Sequence, residues 1–282
     1  MVINRTPVSC HGDLLKIAVL AKAVPDVKNV RLTMKENDID TADLNFLINE
    51  QDSYALEEGL KLKEKFGGEV IVITAGGESR RKGMTQVVRE CYAKGADRGI
   101  MIVDEAFQKL DDLARARVFS SLLMQEKPDV VICGSQSFDT ATSRMGPMVA
   151  EFMGIPHASL ITGLEPLEGG KAFRLSRDLE QGVQEILQIG APCLLTTQTG
   201  INTPRYAALS KIIMATRKEI RTVSLQETGV AQGDIGKLDL VKVVSAGFPE
   251  EKASNVLILK GTPDEEAAQL VRSLREKGLL QR

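Results

Sequence analysis

Apolar positions between Leu15 and Gly154 fall into two alternating patterns. Short continuous runs rich in β-branched residues are separated by segments whose apolar residues recur at helical spacing. LKIAVLAKAV (15–24) is the first run, closed by Pro25. After a polar stretch, YALEEGLKLKEKF (54–66) places Ala55, Leu56, Leu60, Leu62 and Phe66 on one helical face. Gly67-Gly68 then close it as a helix C-terminus would. VIVITAGG (70–77) predicts a second strand, followed by a helix carrying Met84, Val87, Val88, Cys91 and Tyr92 and ended by Gly95. GIMIV (99–103) is a third strand, DDLARARVFSSLLMQE (111–126) a helix stopped by Pro128, and VVICG (130–134) a fourth strand. A loop and a helix near 146–153 complete the series. Strands that read as unbroken apolar runs are covered on both faces, so the pattern predicts a doubly wound α/β domain with a parallel sheet. Ligands bind such sheets beyond the carboxyl ends of the strands.

The second half departs from this rhythm. HASLITGLE (157–165), KAFRLSR (171–177) and VQEILQI (183–189), joined by EGG and EQG turns, predict an antiparallel insertion. APCLLTT (191–197) resumes an apolar strand. From 221 to about 254 the chain is mostly polar, then comes the apolar run VLILKG (256–261). Thr262-Pro263 opens a last helix, whose first turn holds Asp264, Glu265 and Glu266. The expected organisation is a flexible extension over 1–14, an α/β domain over 15–220, and an extended C-terminal arm with its helix over 221–282. So polar an arm cannot build its own core and is suited to wrapping another surface.

Composition narrows the chemistry. Lys+Arg number 36 and Asp+Glu 38, a balance that gives no footprint for nucleic acid or an anionic membrane. Two His argue against zinc hydrolysis, His relays and non-haem iron. Cys10, Cys91, Cys133 and Cys193 are widely spaced without a CxxC, which predicts reduced thiols and a reducing compartment such as the cytoplasm. The first 14 residues hold no apolar h-region, and no apolar run reaches membrane-spanning length.

Four loops fall at strand carboxyl ends: AKAVPD (21–26), TAGGESRR (74–81), VDEAF (103–107) and GSQSFDTATSRMG (134–146). The last is the most informative. Gly134 permits close backbone approach, five hydroxyls lie between Ser135 and Ser143, and Arg144 stands at the next helix start. That set fits a phosphate site. It equally fits a loop whose hydroxyls satisfy local backbone. TAGGESRR has glycines and two arginines, Arg80 and Arg81, but lacks the Lys-Ser/Thr ending of a phosphate-binding P-loop. His11 and His157 stand alone, and no nucleophile–base pair is visible. The residues describe a nucleotide-binding α/β protein, a carrier or binding subunit more than a hydrolase.

Several segments together resemble the electron transfer flavoprotein β subunit. VLAKAVPD (19–26) matches that family's opening at Lys22, Val24 and Asp26. NEQDSYALEEGLKLKE (49–64) resembles its first helix, with Glu50 where Pro is frequent, and AKGADRG (93–99) resembles the approach to the third strand. GSQSFD (134–139) matches a Gly-x-Gln-x-x-Asp loop, and SRDLEQG (176–182) an Arg-Glu-x-x-Gly-Gly turn at Arg177 and Gly182. APCLLTTQTGINTPRYAALSKIIMA (191–215) agrees at Pro192, Asn202, Pro204, Arg205, Tyr206, Ala207 and Leu209.

The resemblance implies an adenine-nucleotide-hydrolase-like, Rossmann-like fold and a heterodimer with an α subunit, which the C-terminal arm would clasp. FAD would be held mainly by α at the interface, and AMP by this chain. The implied nucleotide contacts are Leu20, Ala21, Lys22, the turn Asn49, Glu50, Gln51 and Asp52, then Ala75 and Gly76. To these it adds the loop Gly134, Ser135, Gln136, Ser137, Phe138, Asp139, Thr140, Ala141, Thr142, Ser143, Arg144 and Met145. Arg205, Tyr206, Leu209, Ile212, Ile213 and Met214 would form a docking segment for flavin dehydrogenases, with Leu209 as anchor. Electrons would pass to a quinone-linked acceptor. The compartment would be the cytoplasm, or the mitochondrial matrix in a eukaryote. No catalytic residue, metal, nucleic acid or membrane insertion is implied. Two other readings stand beside it: an electron-bifurcating β subunit with a second FAD and NADH as donor, and a stand-alone adenine-nucleotide enzyme or stress protein.

Overall fold

The computed structural model describes residues 14–28, 30, 32–35, 38–40, 44–230, 244–248 and 256–280. The N-terminal extension before Leu14, with Cys10 and His11, and much of the polar arm lie outside the described residues. The chain divides into two units, 1–244 and 245–282.

In the first unit, seven strands form one sheet: β1 (Leu15–Leu20), β6 (Gly68–Gly76), β7 (Arg98–Val103), β8 (Val130–Gly134), β9 (His157–Ile161), β13 (Cys193–Thr197) and β14 (Arg221–Val223). Their order is β14-β7-β6-β1-β8-β13-β9, and every pairing is parallel. Alternate residues of β1 face opposite layers. Ile17 and Val19 pack with α1 (Glu50–Phe66) and α2 (Arg81–Lys94); Ala18 and Leu20 pack with α3 (Asp112–Glu126) and α4 (Met145–Met153). Both faces are covered, as the apolar runs predicted. Four short strands lie between β1 and α1. β2 (Ala23–Pro25) pairs with β5 (Phe46–Ile48), and β3 (Met34–Lys35) pairs with β4 (Asp38–Ile39). The polar stretch before α1 thus carries small ribbons that its composition did not signal.

The insertion forms a three-stranded antiparallel sheet of β10 (Gly163–Leu167), β11 (Ala172–Asp178) and β12 (Gln184–Gly190). Here the sequence reading needs correction. The segment 157–165 is two strands, and its first half joins the main sheet in parallel beside β13. Leu160 takes the left-handed region at φ 61°, and the β9–β13 register shifts between Leu195 and Thr197. That bulge ends one pairing and turns the chain into the next.

The sheet also runs past residue 220. β14 pairs with β7, Val223 and Leu225 are buried, and Ser121 and Gln125 donate to the Thr228 carbonyl at 2.6 and 2.7 Å. Residues 221–230 thus belong with the α/β domain rather than with an arm. In the second unit, α6 (Pro263–Glu276) opens on a capping box between Thr262 and Glu265, and none of its residues is buried. The apolar run at 256–261 forms no strand; Val256, Leu257 and Ile258 are exposed in irregular chain. Among the described residues, no helix is long and apolar enough to cross a membrane.

The amino ends of the central strands are tied by charge. Arg98 reaches Glu69 at 3.0 Å and Glu126 at 2.7 Å, while Lys16 and Arg221 reach Glu126 at 3.3 and 3.1 Å. At the same end, Gly68 pairs with Leu15 and has φ 109°; a Cβ there would stand 1.9 Å from the Leu15 carbonyl oxygen. Gly68→Ala should therefore destabilise the domain by about 1–3 kcal/mol, since a backbone atom cannot swing aside. A lowered denaturant midpoint with unchanged slope is expected, and an unchanged midpoint would contradict this account.

Candidate functional site

The strand order reverses at β1, which has β6 on one side and β8 on the other. Such switch points open a crevice beyond the strand ends. Here α1 closes one side of it with a single carboxylate. Asp52, in the first turn of α1, is buried, and accepts the Lys22 N–H at the end of β1 and the Gly134 N–H at the end of β8, both at 2.8 Å. Burial pushes its pKa up to about 6, against the lowering effect of those two bonds and of Asn49 and Lys22. Gly134 owes its identity to this contact: a Cβ would lie 2.6 Å from Asp52 Oδ1 and 2.8 Å from the Gln51 carbonyl carbon. The sequence reading assigned Gly134 to approach by a ligand; the atoms crowding it belong to α1.

The two residues flanking Glu50 bind the hydroxyl loop to the same helix end. Asn49 donates to the Gln136 carbonyl at 2.9 Å and accepts the Phe138 N–H at 3.0 Å. Gln51 Oε1 accepts from Ser135 Oγ and from the Gln136 N–H at 2.8 Å. Across the loop, Lys22 Nζ reaches Asp139 at 2.6 Å, Ser137 at 3.1 Å and Thr140 at 3.3 Å. Burial opposes ionisation of Asp139, but the Lys22 ammonium, Ser137 and Arg80 outweigh it and hold the carboxyl below its ordinary range. Ala141 and Ser143 adopt left-handed φ of 48° and 54° without being glycine. Such residues persist only where their surroundings fix them, and they concentrate at ligand clamps.

These elements line a cleft with a cavity volume of about 150 Å³, partly open to solvent. Of the residues expected, Leu20, Ala21, Lys22, Asn49, Asp52, Ala75, Gly134, Ser135, Gln136, Ser137, Thr140, Thr142, Ser143, Arg144 and Met145 line it. Gln51 and Asp139 stand behind the lining as loop supports. Gly76 packs towards Met84, while Glu50, Phe138 and Ala141 are exposed outside it. The opposite wall was missed: Phe107, Asp112, Arg115, Phe119 and Cys133 also line the cleft. Asp112 holds Arg144 at 3.0 Å and lies 3.8 Å from Arg115. Arg115 sits 5.7 Å from the Phe107 ring centroid, and its Nε is buried without a hydrogen-bond partner. Burial pulls its pKa below the usual arginine range. Three cations, Lys22, Arg115 and Arg144, thus line a cleft whose two lining carboxylates are both engaged, Asp112 with Arg144 and Arg115, and buried Asp52 with backbone N–H groups.

The expected docking segment lies elsewhere. Helix α5 (Leu209–Thr216) packs on α2 and buries Ala215 alone. Leu209 is 73% exposed, Met214 70% and Tyr206 98%, with Ile212 and Ile213 about half exposed. Arg205 turns the other way, onto Glu57 and Glu64 of α1. Cys91, Cys133 and Cys193 are buried free thiols, raised well above the usual range by burial, Cys193 to about 12.

A family model described as the electron transfer flavoprotein domain matches residues 37–228, well over half of the chain. The chain is 34% identical to the electron transfer flavoprotein subunit beta of Methylophilus methylotrophus over 85% of its own length and 89% of that protein. The chain belongs to the electron transfer flavoprotein β subunit family. It is also 32% identical to the subunit beta of Thermoanaerobacterium thermosaccharolyticum over 94% of this chain and all of that protein. Subunit CarD of the caffeyl-CoA reductase-Etf complex of Acetobacterium woodii is 29% identical to it over 94% of this chain. The family match takes in α1, the hydroxyl loop and α5, and so most of the cleft lining and the exposed apolar helix; Leu20, Ala21 and Lys22 precede it.

Within this family member, the Asp52 carboxyl should titrate near pH 6. An acid with a native pKa above its unfolded value binds its proton first in the folded state. Its contribution to stability is therefore greatest at low pH and falls as pH rises from the ordinary carboxylate range through about 6. Carbon-13 NMR of the Asp52 carboxyl checks this; a midpoint below 4 would contradict the burial argument.

Proposed function

We propose that this chain is the β partner of a heterodimeric electron carrier, holding AMP in the α1–β1–β8 cleft and helping an α subunit retain FAD at their interface. The observation that carries the reading is the cleft: an α/β switch-point crevice lined by Lys22, Arg115, Arg144 and five hydroxyls. The residues fit an adenine mononucleotide. An arginine with a buried, unpartnered Nε is a donor awaiting an acceptor, and the start of α4 at Met145 adds helix N–H groups to the same wall. Leu20, Ala75, Phe107 and Phe119 supply apolar surface for the base.

Flavin bound mainly by the α subunit supplies the redox chemistry in this reading. The chain's own residues perform binding, orientation and docking. Lys22 and Asp139 hold the hydroxyl loop, Arg115 and Arg144 take phosphate charge, and Leu209 with Ile212, Ile213 and Met214 offers an apolar surface to flavin dehydrogenases. The exposed side chains of α6 and the arm before it would meet the α subunit. A quinone-linked acceptor would receive the electrons, and the compartment would be the cytoplasm or the mitochondrial matrix.

Similarity to a subunit of a caffeyl-CoA reductase-Etf complex keeps a bifurcating variant as the second reading, in which a second FAD occupies the cleft and NADH is the donor. The nucleotides released on denaturing the co-expressed heterodimer distinguish them. One FAD and one AMP per heterodimer is the expected result, and two FAD would establish the variant. Full FAD occupancy of the chain purified without an α subunit, or ATP hydrolysis by it, would overturn both in favour of a stand-alone nucleotide protein.

A further inference from the structure

Helix α5 has almost no core of its own. It spans eight residues and buries only Ala215, whereas isolated helices this short are not stable in water. Its pose must therefore depend, beyond its packing on α2 through Ala215, on what holds its two ends.

At the entering end the chain leaves β13 and is fastened to α1 twice. Asn202 Nδ2 donates to the Tyr54 carbonyl and to Glu58 Oε1, both at 2.9 Å. Arg205 then makes a forked pair with Glu57, from Nε at 2.9 Å and Nη2 at 3.0 Å, and its backbone N–H adds a third bond at 3.1 Å. The far edge of the guanidinium holds Glu64, with Nη2 at 3.1 Å and Nη1 closer still. Glu57 and Glu64 are seven residues apart on α1 and so share one face. Glu57 is buried, and a buried carboxylate requires a fixed cationic partner. Both glutamates hold the guanidinium proton more tightly than usual, and Arg205 in turn keeps Glu64 ionised below its ordinary range. At the leaving end, Lys218 donates to the Ala96 carbonyl at 2.9 Å and lies 4.5 Å from the Tyr92 ring centroid, while Tyr92 Oη donates to the Glu219 carbonyl at 2.7 Å.

We propose that Arg205 is a positioning residue: its clamp on Glu57 and Glu64 holds α5 in a preformed pose that presents Leu209, Ile212, Ile213 and Met214 to the protein partner, without Arg205 touching that partner. The proposal rests on the reading of α5 as the docking helix. Its physical content is preorganisation. A helix already ordered in its bound pose avoids the entropy cost that a loose segment incurs on binding. The clamp also stands on the helix whose first turn builds the cleft through Asn49, Gln51 and Asp52, so one element supports both regions.

The test uses the assembled heterodimer and a flavin dehydrogenase that reduces the wild type. Two readouts are taken: amide hydrogen exchange across 203–216 without the dehydrogenase, and KM and kcat for flavin reduction with it. Arg205→Ala should speed exchange across 203–216 and raise KM, each by about tenfold, with kcat and flavin content little changed. Arg205→Lys should recover part of both effects, because the ammonium keeps charge but loses the fork. Leu209→Ala should raise KM and leave exchange unchanged. If Arg205→Ala raises KM while exchange stays at the wild-type rate, Arg205 is a direct contact and the proposal fails. If neither changes, the clamp has no role and it fails equally. A wild-type KM for Leu209→Ala would instead overturn the docking reading, while the exchange data still judge the clamp. Glu64→Gln, which removes only the outer half of the clamp, carries the same comparison should Arg205→Ala not assemble.

Discussion

One buried carboxylate organises the ligand end of this domain. Asp52 takes the last backbone N–H groups of two neighbouring strands, Lys22 beyond β1 and Gly134 at the end of β8, and fixes both to the first turn of α1. Hydrogen bonds to a charged group contribute about 1.5–3 kcal/mol each, and leaving such a group buried without them costs more. The arrangement therefore does not tolerate partial assembly. With Asp52 in place, Asn49 and Gln51 fall against the hydroxyl loop, and Lys22 is directed across it to Asp139. Gly134 is glycine because the helix comes too close for any side chain. The cleft is thus a consequence of how α1 is seated.

The same helix links the two regions that matter for an electron carrier subunit. Its first turn shapes the nucleotide cleft, and its later turns, through Glu57, Glu58 and Glu64, hold the segment leading into α5. Exposed apolar side chains are a liability unless something limits where they point. Straps at both ends of α5 provide that limit, from α1 on one side and from Tyr92 and Ala96 on the other.

Much of this was legible in the sequence, for identifiable reasons. The strands of the main sheet are unbroken apolar runs because both faces are covered, and the helices between them show their buried faces as periodicity. The hydroxyl loop announced itself by composition and by its place after a strand. Asp52 was reached only through family resemblance, since one acid at a helix start is ordinary. Asp112, Arg115 and Phe119 escaped notice because α3 is buried or half-buried nearly all round, so the spacing of its residues does not mark which side lines a cleft until the helix is packed. β9 was placed in the wrong sheet because alternation fixes which face is buried, not which neighbour a strand takes. β14 was hidden by its length, since three residues carry no periodic signal.

The central claim is that the seating of α1 by Asp52 creates the nucleotide site. Its most direct measurement is calorimetric titration of AMP into the nucleotide-stripped heterodimer, comparing wild type with Asp52→Asn. The amide offers one acceptor and turns a donor towards the other backbone N–H, so the account predicts AMP binding weaker by about tenfold or more, the equivalent of one charged hydrogen bond. Wild-type affinity in an assembled Asp52→Asn heterodimer would contradict it.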